Sequence, residues 1–243
     1  MLKRAVIARN LHKWLGLFVG LQILIWLASG LYMVVVDIDF IHGDSLVKNM
    51  QQAIKIPTSP TLSINDLKTN YPEAKQIGLQ AVMGKTFYTV STAEDRYLFD
   101  PHNGQLVSPL SEDTAKEIAI YHFNGKARIV RATLIESDPP MEIQTRGLPL
   151  WRIDFDDRYS TSFYIDPYSG ALATRRHQFW RIFDFLWMLH IMDYQERADA
   201  HNTLLKVAQI TGLIFAISGV WLLVYSFPGR RSKKRQNTGE TSP

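Results

Sequence analysis

Two long apolar runs frame this chain, and between them hydrophobic and polar positions alternate. The first run, Trp14 to Val36 (WLGLFVGLQILIWLASGLYMVVV), contains no charged residue; the second, about Thr203 to Phe227, carries one early Lys206 and then no charge until Arg230. At ~1.5 Å rise per residue, each is long enough to cross a hydrocarbon core of ~30 Å as a helix. Between them, Ser63 caps a predicted helix INDLKTNY that ends before Pro72. From Gln76 the period becomes two: QIGLQAVM, a Gly84-Lys85 turn, TFYTVST, a Glu94-Asp95 turn, then RYLFD. That pattern predicts strands joined as hairpins. Ser111 caps a second predicted helix, SEDTAKEIAIYHF, acidic in its first turn as the helix dipole favours. KARIVRATLIE reads as a strand and ESDPPMEIQTRG as a loop; LPLWRIDFDD and YSTSFYID form another hairpin, closing with DPYSGAL.

An internal repeat lies in this pattern. Asp-Pro-x-x-Gly-x-Leu follows a strand twice, from Asp100 and from Asp166, an offset of 66 residues. The chemistry is that of a strand ending in a tight turn, where Asp accepts from the turn and Gly takes φ > 0. A helix followed by hairpins, given twice, describes a small α+β module in duplicate with a truncated first copy.

Charge supplies the topology. The net charge of +4 conceals nine of the 27 basic residues at the ends: Lys3, Arg4, Arg9 and Lys13 before the first run, and Arg230, Arg231, Lys233, Lys234 and Arg235 after the second. The segment Asp37–Lys206 holds the other 18 against 22 acids. The positive-inside rule then predicts both termini in the cytoplasm and the middle outside. The basic ends read as topology and anionic-lipid signals, with no nucleic-acid partner. A signal peptide has an apolar core of only ~7–15 residues. LYMVVV continues past the Ala28-Ser29-Gly30 cluster, so a retained anchor is expected.

The expected organisation is therefore a basic tail (1–13), a first span (14–36), and an extracytoplasmic α+β domain (37–174) with repeat units near 62–108 and 111–174. An interfacial amphipathic segment (175–202), a second span (203–227) and a basic tail (228–243) follow. The aromatic run Phe179, Trp180, Phe183, Phe185 and Trp187 suits an interfacial belt. Gly16 and Gly20, and Ala208, Gly212 and Ala216, have the small-xxx-small spacing of packed spans. Gln22 and Gln209 fall on opposite sides of the midplane and are expected not to bond each other.

Soluble-enzyme motifs are missing: the chain has no HExxH, GxSxG, GxxxxGK or GxGxxG. With no cysteine it has neither disulfides nor thiolate ligands. Asp193, Glu196, Asp199 and His201 could form an oxygen-rich metal site, and an acidic solvated turn explains them equally well. His42, His102, His122 and His177 are expected in surface or turn roles, and Asp154, Asp156 and Asp157 at a solvated hairpin turn.

The D-x-x-x-G-x-L strand end after a helix and hairpin resembles the PepSY domain. R-x-L-H-K-W-L-G (Arg9–Gly16) is similar to the start of the first PepSY-associated transmembrane helix. Leu189-His190, followed by a long helix with Ser218-Gly219 and Trp221–Leu223, is similar to the closing helix. The resemblance implies a bacterial inner-membrane protein with a periplasmic PepSY-like domain. Relatives with four or more such helices include ferric-siderophore reductases, which carry b-type haem on span histidines. By that resemblance His12 and His190 are candidate haem ligands, although this chain has two spans and IMDYQERADAHN where a glycine-rich stretch is expected. His12 and His190 belong to opposite ends of the spans, ~30 Å apart, and cannot share an iron within one chain. A homodimer would pair His12 with its mate on one face, and His190 or His201 with theirs on the other. The expectation is a haem b electron-transfer or ferric-reductase-like subunit, a homodimer or one joined to a membrane redox partner, its electrons supplied by quinol or a cytoplasmic partner. The alternative is a non-catalytic tethered PepSY module that binds a periplasmic or membrane partner, with His12 among lipid headgroups and His190 capping a surface helix.

Overall fold

The computed structural model describes residues 2–93 and 96–226. The expected Glu94-Asp95 turn and the C-terminal basic tail (228–243) lie outside the described residues. The chain divides into two compact units, one from Met1–Gly30 with Met188–Pro243, the other Leu31–Trp187.

The first unit is built on helices α1 (Leu2–Val35) and α6 (Thr203–Ser226). The basic N-terminal stretch, expected as a tail, is already helical, because no proline or glycine interrupts the chain before Gly16. Within these helices, His12–Val35 (24 residues) and Thr203–Leu223 (21 residues) are apolar and long enough to cross a membrane. Only 11% and 6% of the two stretches are buried, so neither is the core helix of a soluble fold, and lipid is the solvent that suits their surface. A Cβ on Gly16 would come within 3.1 Å of the Phe215 ring, so this glycine admits a side chain of the opposite helix. Gly20 and Gly212 face open space. Gln22 Nε2 is buried with no hydrogen-bond partner, and Gln209 is exposed, in keeping with two glutamines that do not meet.

The second unit contains the duplicated module. Copy one is α3 (Ile64–Asn70) followed by an antiparallel sheet of β1 (Gln76–Val82), β2 (Lys85–Ser91) and β3 (Arg96–Phe99). Copy two is α4 (Glu112–His122) followed by β4 (Ile129–Ile135), β5 (Leu150–Phe155), β6 (Ser162–Ile165) and β7 (Leu172–Arg176), paired in that order. Ser63 closes a capping box with Asp66, and Ser111 accepts from Thr114 N, so both helices start where their caps predict. The first hairpin turns one residue earlier than expected: Val82 pairs with Lys85, leaving Met83 and Gly84 as the turn, both at positive φ.

The repeated turns match atom for atom. Asp100 Oδ1 accepts from His102 N at 2.8 Å and Asp166 Oδ1 from Tyr168 N at 2.8 Å. Gly104 (φ +70) and Gly170 (φ +67) donate their N–H to Asp100 O and Asp166 O. Beyond the turn, copy one makes a single bridge, Phe99 to Leu106, where copy two extends to the whole of β7. That is the truncation. A shared core joins the copies, with Val82 and Leu98 packed among Ile118, Ala119, Ile153, Phe155 and Phe163, while copy one keeps a cluster of its own in Leu67, Tyr88, Val90 and Phe99.

The unit also closes its own ends. His177 Nε2 lies 3.0 Å from both Phe40 O and Ile41 O of α2 (Ile38–His42), and Arg175 bonds His42 O and Asp44. Tyr32 Oη donates to Phe179 O at 3.0 Å. The expected interfacial segment (175–202) is thus three pieces: the end of β7, helix α5 (Gln178–Ile191), and an irregular turn at 192–202.

Candidate functional site

Two histidines of the first unit are seated in the same way. His12, the first residue of the apolar stretch, stacks on Phe215 with ring centroids 4.3 Å apart and planes 11° apart. Its Nδ1 lies 2.7 Å from Ser218 Oγ. Ser218 also donates its hydroxyl to Phe215 O at 2.7 Å. Gly219 makes the room: a Cβ there would stand 3.2 Å from His12 Cε1.

His190, in the last turn of α5, repeats the arrangement against α1. Its Nδ1 lies 2.8 Å from Ser29 Oγ, and the fully buried Ser29 donates to Ile25 O at 2.8 Å. Gly30 is again the neighbour, its Cβ position 3.7 Å from His190 Cε1. Trp26 Nε1 donates to His190 O at 2.8 Å and ties down the end of α5. The sequence signal is a Leu-His dipeptide, which occurs twice, and a Ser-Gly dipeptide inside each apolar run: Leu11-His12 with Ser29-Gly30, Leu189-His190 with Ser218-Gly219. Each histidine sits on the Ser-Gly of the other copy. The sequence reading placed both histidines among candidate ligands and missed the two serines.

His12 and Ser29 are seventeen residues apart on one helix, about 25 Å of rise. The two imidazoles therefore occupy opposite ends of this unit and cannot meet at one iron. An apolar groove of about 290 Å³, lined by Ile214, Ile217, Ser218, Trp221 and Leu222, adjoins the His12 end.

His201 is elsewhere. The helix does break between Ile191 and Thr203, with Met192 and Arg197 at positive φ, but His201 is exposed on the turn, outside both helices. Asp193 organises that turn. Its Oδ1 accepts from Gln195 N and Glu196 N, and its Oδ2 from Ala198 N and Asp199 N. Those N–H groups, Asp199 and Ala198 foremost, hold the carboxyl down to about 2. A carboxylate already saturated by four donors is a structural cap and a poor cation ligand. Asn202 completes the turn by donating to Ile191 O and accepting from Leu205 N as the N-cap of α6.

Polar chemistry in the second unit is structural. Glu142 accepts from Tyr164 Oη (2.5 Å) and from Arg181 Nε (2.6 Å) and Nη2 (3.1 Å). Burial pushes its carboxyl up, and the bonds from Arg181 and Tyr164 outweigh that, leaving it below the ordinary carboxylate range. The same burial, with Glu142 beside it, drives the Tyr164 hydroxyl upward. Asp154, expected at a solvated turn, lies within β5 and accepts from Arg152 Nε and Ser162 Oγ. His122 and His177, expected at the surface, are 5% and 0% exposed, because carbonyls distant in sequence receive them; burial lowers both. Asp39, His42 and Asp44 present atoms within 4.8 Å of one another, but all three are exposed and Asp44 already pairs with the Arg175 guanidinium.

The family model for the PepSY-associated TM region matches residues 9–240. No curated protein and no solved structure matches the chain.

Proposed function

Because this chain belongs to the PepSY-associated TM-region family, and is a membrane protein with an α+β domain between two spanning helices, we propose that it is a haem-carrying electron-transfer subunit, ferric-reductase-like, working as a dimer in a bacterial inner membrane. The observation that carries this reading is the seating of His12 and His190: two imidazoles at the ends of apolar helices, each with Nδ1 within hydrogen-bond distance of a serine hydroxyl of another helix. A hydrogen bond at one ring nitrogen is the usual support for an imidazole that ligates through the other. The residues present would give a haem iron one imidazole at each end of the unit, His12 at one and His190 at the other. A second ligand at each end has to come from another copy, which is the role of the dimer. The exposed position of His201 leaves the proposal resting on His12 and His190.

Bound there, a b-type haem would supply a one-electron Fe(III)/Fe(II) couple in a low-dielectric setting. The chain's own contribution is to orient the imidazoles through Ser218 and Ser29. Phe215 covers one face of His12, and the apolar surface of the spans excludes water. Both termini face the cytoplasm in this reading and the α+β unit faces the periplasm, as the distribution of basic residues favours.

The test is a haemin titration of the purified full-length protein in detergent, with its mass measured in parallel. The expected result is a Soret band and a dimer, with affinity reduced at least tenfold in His12→Ala and His190→Ala. A colourless monomer would overturn the reading and leave a tethered module that acts by binding.

A further inference from the structure

The two serines do more than fill space. Each hydroxyl has one proton, and each serine gives it to a helix carbonyl one turn back: Ser218 to Phe215 O, Ser29 to Ile25 O. With that proton committed, the oxygen facing the imidazole can only accept. The 2.7 Å and 2.8 Å contacts are then Nδ1–H donating to Ser218 Oγ and to Ser29 Oγ.

We propose that Ser218 and Ser29 are positioning residues that hold His12 and His190 in the Nδ1-protonated form, leaving Nε2 as the ligating nitrogen at each end of the unit. This rests on the haem reading above for its purpose, but the tautomer itself belongs to the haem-free protein. Gly219 and Gly30 are part of the device: the missing side chain after each serine lets the imidazole edge come close enough for the bond.

The experiment uses full-length, haem-free protein in detergent, labelled with ¹⁵N-histidine, together with Ser218→Ala, Ser29→Ala and the corresponding Ser→Thr variants. In the wild type, the Nδ1 resonances of His12 and His190, assigned by single His→Gln variants, are expected at protonated-nitrogen shifts and Nε2 at unprotonated ones. Each Ser→Ala variant should move only its own histidine toward the Nε2–H form that free imidazole prefers. Each Ser→Thr variant, which keeps the hydroxyl, should restore the wild-type shifts. In haemin titrations Ser→Ala should weaken binding about tenfold, with Ser→Thr near wild type. Wild-type histidines protonated on Nε2, or tautomers unmoved by Ser→Ala, would overturn the positioning role even if haem binds. The expected tautomers with no Soret band would overturn the haem reading alone.

Discussion

At the scale of single residues, Glu142 gathers a tyrosine hydroxyl and an arginine guanidinium on one half-buried carboxylate. Its side chain is 10% exposed, while that of Arg181 is 31% exposed. Glu142→Gln should therefore cost about 2 kcal/mol, less than the ~3–5 kcal/mol of a fully buried pair, because Arg181 keeps access to water. Urea denaturation of the full chain followed by tryptophan fluorescence measures it. The sign with pH follows from the folded-state values. Glu142 lies below its ordinary value of 4.5, so its contribution is complete above that value and is lost as pH falls through the folded one. His122 and His177 lie below their ordinary 6.5, so theirs is complete above 6.5 and is lost as pH falls through their depressed values. Acid should thus weaken the unit in two windows, beginning below 6.5 and below 4.5, and Glu142→Gln should flatten only the second.

At the scale of elements, the duplicated turns are equal in backbone and unequal in surroundings. A Cβ at Gly170 would meet Val82 Cγ1 at 3.0 Å and Leu110 Cδ1 at 3.3 Å, whereas one at Gly104 meets only Leu62 Cβ at 3.7 Å. Gly104→Ala should cost about 1 kcal/mol for its positive φ, and Gly170→Ala about 1–3 kcal/mol more for overpacking; thermal melts of the two variants give the difference. These turns, the two capped helices and both spans were legible in the sequence because their signals are local: a cap, an Asp-Pro with its glycine, an uninterrupted apolar run. What was not legible depends on distant groups. LATRR carries no alternation and becomes β7 only by pairing with β6. Met83 takes a positive φ that its side chain does not advertise. Asp193 looks like one acid among several until the N–H groups that converge on it are seen. The pairing of Ser29 and Ser218 with histidines does not show in the sequence, since those histidines lie 161 and 206 positions away.

At the scale of the whole molecule, the absence of native cysteine makes topology directly measurable. In intact cells, Asn103→Cys should react with a membrane-impermeant maleimide, and Lys13→Cys only after permeabilisation; equal labelling of both would refute the proposed orientation. The self-closure of the second unit bears on biogenesis. Once Tyr32 is tied to Phe179, and the carbonyls of Phe40 and Ile41 to His177, the contour that must loop back for His12 to find Ser218 shrinks from 206 residues to roughly 60, easing closure by about 1 kcal/mol. A second unit that closes on itself therefore shortens the search by which the late-synthesised helix meets the early one, and the bonds that do so lie outside both spans.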